Sequence, residues 1–296
     1  MVAMAKPVSV SVIIVTWNSS RDIEVCLRSI PAALGGLLGE TIIVDNGSSD
    51  ATAALIESLS RTMSMVAILR NSKNLGFSGA NNLAIRSAQG KYILLLNPDT
   101  QLQPNAIARL VTCLNTSNAG MVGAHHRNAN GSTQPSVRSF PTLRAMLLLL
   151  LKAHHYAPTL PALTAYFAKN FDYEKTQPAD QLAGSCLLVS RSVIKQIGGL
   201  DERLNIWFED VDWCKRAHAA GIGVWYCGNS EVFHLGGQSF AQLSTLSRQR
   251  QFNRSLRYYM KKHHCIAAWL AVTALNPVSL ALAIFGTKNR PQQRPN

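Results

Sequence analysis

Acidic side chains are scarce in this 296-residue chain: 16 Asp and Glu stand against 29 Lys and Arg, a formal charge of +13. That excess calls for an anionic partner, and nucleic acid, anionic lipid and a phosphorylated substrate are the three candidates. No basic run interleaved with aromatics and no nucleic-acid motif occurs, so no nucleic-acid partner is expected. Also lacking are G-x-S-x-G, G-x-x-x-x-G-K-[ST] and G-x-G-x-x-G, the usual signatures of serine hydrolases, P-loop enzymes and dinucleotide oxidoreductases. The eight histidines form neither H-E-x-x-H nor H-x-x-E-H, so a zinc hydrolase has no support. The six cysteines lie far apart, with no C-x-x-C pair and no zinc spacing, and read as buried thiols of a reducing compartment. No secretory h-region is found: Val8 to Val15 is too short and too β-branched, and reads as the first strand of a cytoplasmic protein.

What is present is globular, with 47% apolar and 15% charged residues, enough for one large α/β domain with or without a modest appendage. Residues 8–16 are nearly all apolar and predict a strand buried on both faces of a parallel sheet. A helix is expected from Ser20 to about Ile30, capped by Ser19 or Ser20 and closed by Pro31. A strand over Thr41 to Val44 stops in the turn Asp45-Asn46-Gly47-Ser48-Ser49-Asp50, ahead of a helix from Ala51 to Leu59. A third strand, Met65 to Leu69, leads through Asn71 to Asn82 into a helix ending near Ala88. A fourth, Tyr92 to Leu96, ends at Asn97-Pro98-Asp99-Thr100, before a helix opening near Pro104. The alternation predicts an α/β fold with a doubly wound, mostly parallel sheet.

Ligands of such sheets bind outside the carboxyl ends of the strands, so Thr16-Trp17-Asn18, 45–50, 71–82 and 97–100 converge on one edge. Residues 125–180, with the apolar run Met146 to Leu151, read as an insertion of unassigned order. Regularity resumes with a strand over 185–189, a short helix up to Gly198-Gly199, a helix from near Glu209, and strands at 224–226 and 232–233.

Each side chain that can carry chemistry here also has a plainer reading. Asp99 follows a buried strand and Pro98, so its carboxylate projects from the sheet edge; it is a ligand for Mg²⁺ or Mn²⁺ shared with substrate phosphates, or the start of a turn. Asp45 accepts the ring N–H of a pyrimidine or belongs to its turn, while Asp50 reads as a helix cap. Glu209 and Asp210 are candidates for a base that removes an acceptor hydroxyl proton. Acidic residues in a first helical turn are equally favoured by the helix dipole, the one role read for Asp212. His234 is a neutral imidazole ligand or a loop histidine.

Taken in order, Val12 to Asn18, Val44 to Asp50, Asn74 to Asn82, Leu96 to Asp99, Phe208 to Asp212 and His234 to Gly237 resemble the family 2 inverting glycosyltransferases of the GT-A fold. The resemblance is to the bacterial rhamnosyltransferase-like branch in particular and spans residues 8 to about 240. It implies a nucleotide-sugar donor held by Thr16, Asn18, Asp45, Asn74, Gly76, Phe77, Asn97 and Asp99. It further implies a divalent metal ion, Mg²⁺ or Mn²⁺, on Asp99 and His234, and Asp210 as general base with Glu209 beside it. Asn97 stands where the family's D-x-D motif has its first Asp, which removes one negative charge from the metal site. The implied donor is dTDP-L-rhamnose, with UDP-galactofuranose or another nucleotide sugar as the alternative. The implied acceptor is a lipid-linked saccharide precursor of an O-antigen or capsule. A non-catalytic glycan-binding module on the same fold is the rival from another class. Against it stand Asp45, Asp99, Asp210 and His234, which are expected to line one cleft.

Near the C-terminus, Lys261-Lys262-His263-His264 precedes the uncharged stretch Ile266 to Gly286, and Lys288 and Arg290 follow it. About 20 apolar residues can span a bilayer. Asn276-Pro277 in the middle suits two shorter interfacial helices instead. The expectation is peripheral attachment to an anionic membrane surface, on the inner face of the cytoplasmic membrane. The domain reading is a catalytic domain over 1–255, an apolar helical segment over 256–287 and a disordered tail over 288–296.

Overall fold

β-Branched runs make the strands, and their two-residue period decides which core each side chain enters. In β1 (Val10–Thr16), Val10, Val12 and Ile14 join one apolar cluster and Ile13 the other, so both faces are covered. The computed structural model describes residues 8–235 and 244–285. Gly236, Gly237 and the tail over 288–296 lie outside the described residues.

After β1 come α1 (Ile23–Ala33), β2 (Gly39–Asp45), α2 (Thr52–Ser60), β3 (Val66–Arg70), α3 (Gly76–Ser87) and β4 (Tyr92–Leu96). The chain continues through β5 (Thr100–Leu102), α4 (Ala106–Thr116), β6 (Met121–Arg127), β7 (Val137–Arg138), α5 (Leu143–Leu150), α6 (Pro161–Tyr166), β8 (Gln177–Pro178) and β9 (Gln181–Leu182). Then follow β10 (Cys186–Ser190), α7 (Arg191–Ile197), α8 (Glu209–Ala219) and β11 (Val224–His234). Three helices close the described chain: α9 (Thr245–His263), α10 (Ile266–Ala274) and α11 (Asn276–Phe285).

The main sheet runs β3-β2-β1-β4-β10-β6-β11-β5, with β8 added beside β11. Its first four strands are parallel, as expected of a doubly wound α/β fold, and the order reverses between β1 and β4. The other half is mixed, because β10 runs antiparallel to both β4 and β6 and β5 runs antiparallel to β11.

Several local expectations are corrected. α1 begins at Ile23 without a side-chain cap: the Ser19 hydroxyl turns back to accept from the Trp17 amide (3.3 Å), and the Ser20 hydroxyl donates to Asp50 Oδ2. Pro31 does not close α1, which runs on to Ala33. Asp50 does not hold the cap position of α2, which falls to Ala51 without a side-chain cap; from one residue earlier, its Oδ1 accepts from the Thr52 amide. The strands read at 224–226 and 232–233 are one strand, β11, whose register shifts between Cys227 and Glu231. Cys265 is exposed while the other five cysteines are buried.

The 125–180 stretch is ordered, because its leucine run has somewhere to go. In α5, Met146 and Leu150 pack against Leu256, Tyr259 and Met260 of α9 and Ala268 and Val272 of α10, forming a third apolar core. The boundary at 255/256 therefore falls inside α9, whose two halves serve one packing unit. Asp212 also does more than complement a helix dipole. Fully buried, it meets Arg216 (2.8 Å), Lys262 (2.6 Å) and His263 (2.7 Å), which fastens α8 to α9.

Candidate active site

A cleft of about 590 Å³ opens at the carboxyl ends of β1 and β4, where the strand order reverses. Trp17, Asn46, Asn97 and Pro98 line it from the strand ends, and Asn74, Gly76 and Phe77 from the start of α3. Asn46 ties these pieces together. Its Nδ2 donates to Asn74 Oδ1 (2.9 Å), and its Oδ1 accepts from Asn71 Nδ2 (3.0 Å) and the Leu75 amide (2.9 Å). Gly76 has φ +76°, and a Cβ there would stand 3.0 Å from Asn205 Cβ, so glycine lets α3 begin hard against the 201–208 loop. The Phe77 amide then donates to Asn205 O (2.9 Å) and Ser78 Oγ to Leu204 O (2.6 Å).

That loop forms the facing wall. Trp207 (φ 62°) and Phe208 (φ 69°) are left-handed in succession, strained for aromatic residues, and this turn delivers Glu209 and Asp210 into the cleft at the start of α8. Asp210 Oδ2 accepts from the Gly184 amide (3.0 Å) and Oδ1 from the Val211 amide (2.8 Å). Burial raises the Asp210 carboxyl above its ordinary pKa, against those hydrogen bonds. Glu209 is pushed well above the ordinary value, by burial first and then by the neighbouring Asp210 charge. Its Oε2 is buried without a hydrogen-bond partner. Both carboxyls are pushed up and Glu209 the further, which leaves Asp210 the member of the pair that ionises first and is available as a base.

Strand register brings Asp99 and His234 together. β11 pairs with β5 so that His234 lies opposite Thr100, and the Leu235 amide donates to Asp99 O (3.0 Å). His234 Nε2 stands 3.4 Å from Asp99 Oδ1. Gln134 Nε2 donates to Asn128 Oδ1 and to His234 O, each at 3.0 Å, which turns its Oε1 towards His234 Nδ1 (2.7 Å). Nδ1 is thereby the donor, and in a neutral ring Nε2 presents a lone pair to a carboxylate. That nitrogen is buried without a hydrogen-bond partner. Two acceptors facing one another fit a shared cation, so these residues suit a metal ion bound by two protein ligands plus substrate oxygens. Among the described residues no cluster of three or more His, Cys, Asp or Glu with metal-binding geometry occurs. Behind them His126 is fully buried, accepts from Ser185 Oγ (2.8 Å) and contacts His234 edge-on at 5.5 Å; burial lowers its pKa to about 3 and keeps it neutral.

Of the residues singled out from sequence, Asn74, Gly76, Phe77, Asn97, Glu209 and Asp210 line the cleft. The expectation that Asp45, Asp99, Asp210 and His234 all line it is corrected: Asp210 alone does. Asp45 and Asp99 are buried one residue behind the lining Asn46 and Pro98, because the chain turns there and presents the neighbour. Asp45 Oδ1 accepts from the Ser48 amide (3.2 Å). Thr16 and Asn18 also stand back from the wall. Thr16 is fully buried and donates to Val44 O (3.3 Å), and Asn18 Oδ1 accepts from the Ser49 amide (2.8 Å). Sequence reasoning missed Arg138, Arg203, Arg254 and Trp207 in the walls and Gln134 and His126 behind them. Trp207 only adjoins the Phe208 to Asp212 segment, the other segments carry no motif, and only the excess of positive charge hinted at the arginines.

A sheet that reverses order at its ligand cleft, with a buried carboxyl pair at the start of a helix facing that cleft, is the architecture of a glycosyltransferase of the GT-A fold. Residues 11–198 match Glycosyl transferase family 2, and the chain belongs to that family, in its rhamnosyltransferase-like branch. It is 31% identical over 236 residues, 75% of each chain, to an N-acetylglucosaminyl-diphospho-decaprenol L-rhamnosyltransferase of Mycobacterium tuberculosis. It is 24% identical over 196 residues, 63% of this chain and 71% of the other, to Rhamnosyltransferase WbbL of Escherichia coli. A mannosyltransferase from Pyrobaculum calidifontis, solved with GDP-Man and Mn²⁺, shares the fold with a TM-score of 0.58 at 15% identity, over 96% of this chain and 75% of that one.

Proposed function

We propose that the protein moves L-rhamnose, with inversion, from dTDP-L-rhamnose to a hydroxyl of a lipid-linked saccharide precursor of a cell-envelope polysaccharide. The observation that carries this reading is the Asp210 carboxylate, raised in basicity and aimed into a cleft whose other wall is the carboxyl edge of the sheet. The acceptor oxygen forms a bond to the anomeric carbon as the bond from that carbon to the diphosphate oxygen breaks. Asp210 takes the hydroxyl proton, and the nucleoside diphosphate leaves. Asn74, Gly76, Phe77 and Asn97 frame the donor, and Thr16, Asn18 and Asp45 set the turn that meets its base. Asp99 and His234 would hold a divalent cation, which would supply charge stabilisation to the departing phosphate. A mixed oxygen and nitrogen pair favours Mn²⁺ over Mg²⁺. Names of relatives support the sugar and the lipid-linked acceptor.

The test supplies purified protein with dTDP-L-rhamnose or UDP-galactofuranose, Mn²⁺ and N-acetylglucosaminyl-diphospho-polyprenol. Transfer from the dTDP sugar, stopped by EDTA, is expected; preference for the other donor would replace the sugar in this reading. His234→Ala should raise the Mn²⁺ concentration needed for half-maximal rate about 100-fold, and an unchanged requirement would take His234 out of the metal site.

The segment Ile266–Ile284 is 19 residues long and apolar enough to cross a membrane by length and composition. Its attachment to α9 supports a peripheral arrangement instead. Asn276 accepts from Asn253 (3.0 Å), Ser279 accepts from Gln249 (3.1 Å), and Ala268 and Val272 are buried. Ile266, Leu270, Val278, Leu282 and Ile284 remain exposed and would enter the headgroup region of the inner leaflet. Release from membranes by high salt would rule out a spanning helix, and retention after a carbonate wash would rule out the peripheral reading.

A further inference from the structure

Helix α9 carries Arg250, Arg254, Arg257 and Lys261 at spacings of four, three and four residues. At about 100° per residue these share one arc of the helix, along a track of about 16 Å. Arg250, Arg254 and Lys261 are exposed and Arg257 is half-buried. Among the described residues none of the four pairs with a carboxylate, whereas the adjacent Lys262 holds both Asp201 and Asp212. Arg257 Nε is buried without a hydrogen-bond partner, and Lys261 Nζ lies 5.6 Å above the Trp269 ring of α10.

The stripe is bordered on two sides by surfaces of opposite character. Gln249 and Asn253, on a neighbouring arc, bind α11, while Gln251, Phe252, Arg254 and Ser255 line the catalytic cleft. Arg254 is thus the member of the stripe that reaches the cleft. Beside it Trp207 and Phe252 meet edge-to-face at 5.8 Å, giving the same wall an apolar platform. Four cations with no carboxylate partner among the described residues, set between an apolar helical surface and the cleft, suit a membrane-anchored anion better than a merely solvated face.

We propose that this stripe is the acceptor's phosphate track: the diphosphate joining the acceptor saccharide to its lipid is held at the cleft by Arg254, with Arg250, Arg257 and Lys261 extending the site towards the bilayer. This rests on the reading of a lipid-linked acceptor. The experiment measures acceptor KM and donor Kd for the wild type, Arg254→Gln and Arg254→Lys, with N-acetylglucosaminyl-diphospho-polyprenol in neutral detergent micelles. Arg254→Gln should raise the acceptor KM about ten-fold, the loss of one charge-assisted hydrogen bond, with donor Kd unchanged and partial recovery in Arg254→Lys. An unchanged acceptor KM in a folded variant, an effect seen only with anionic vesicles, or an equal weakening of donor binding would each overturn the proposal. Failure of the wild type to use this acceptor would overturn both readings, whereas an active wild type with an unaffected variant overturns this one alone.

Discussion

Within the first turn of α8 the acidic side chains divide between two surroundings. Glu209 and Asp210 look into the cleft, where burial raises both carboxyls and backbone amides at Gly184 and Val211 offset only part of the effect on Asp210. Asp212, two residues on, is fully buried on the opposite side. Burial alone would raise it as well, but His263, Lys262 and Arg216 reverse the sign and hold it below the ordinary value. Desolvation is common to both places; what differs is whether cations are allowed to answer it. Leaving Asp210 poorly answered suits the proton acceptor proposed above, and answering Asp212 threefold makes an anchor for the C-terminal helix.

The sharpest way to break this contrast is to remove each carboxylate in turn. Asp210→Asn should lower transfer about 1,000-fold, as loss of a general base does, with donor Kd and Tm close to wild type. Because folding raises the Asp210 pKa, kcat/KM should fall with acidification at a pH above 3.8. A limb at or below that value would remove Asp210 from the base role.

Asp212→Asn should do the reverse, costing about 3 kcal/mol of stability by stranding buried cations, with donor affinity retained in the folded fraction. Its folded pKa is depressed, so its stabilisation is present above the unfolded value of 3.8 and lost as pH falls below it. Urea unfolding of wild type and variant should therefore differ at neutral pH and converge in acid. Equal stability at pH 7 would mean that Lys262 is satisfied by Asp201 alone.

The same contrast shows what sequence could and could not supply. β1, β2 and β4 are legible because strands covered on both faces are written in continuous apolar runs, and polar residues at their carboxyl ends must then share an edge. Asp210 was legible as a carboxylate at a helix start. Its difference from Asp212 was not, since the distinction lies in Gly184, Lys262 and His263, each remote along the chain. For Asp99 and His234, residue type suggested a pair, but their contact depends on a β5–β11 register that no local pattern encodes. The 125–180 stretch was opaque for a related reason. Its leucines follow a helical rule only once α9 and α10 are present to receive them.

Glu209 offers the finest and smallest test. Buried beside Asp210, with Oε2 unpartnered and its pKa pushed well above the ordinary range, it is the weaker acid of the pair. A Glu209 that stays neutral during turnover loses no charge on replacement by an amide of the same shape, so Glu209→Gln should alter kcat less than about ten-fold, the scale of one neutral hydrogen bond. The acid limb set by Asp210 should stay in place. If Glu209 instead carried a negative charge during turnover, the substitution would relieve repulsion and move that limb to lower pH. A downward shift would therefore mean that the two cleft carboxylates are both ionised, and the contrast with Asp212 would have to rest on Asp210 alone.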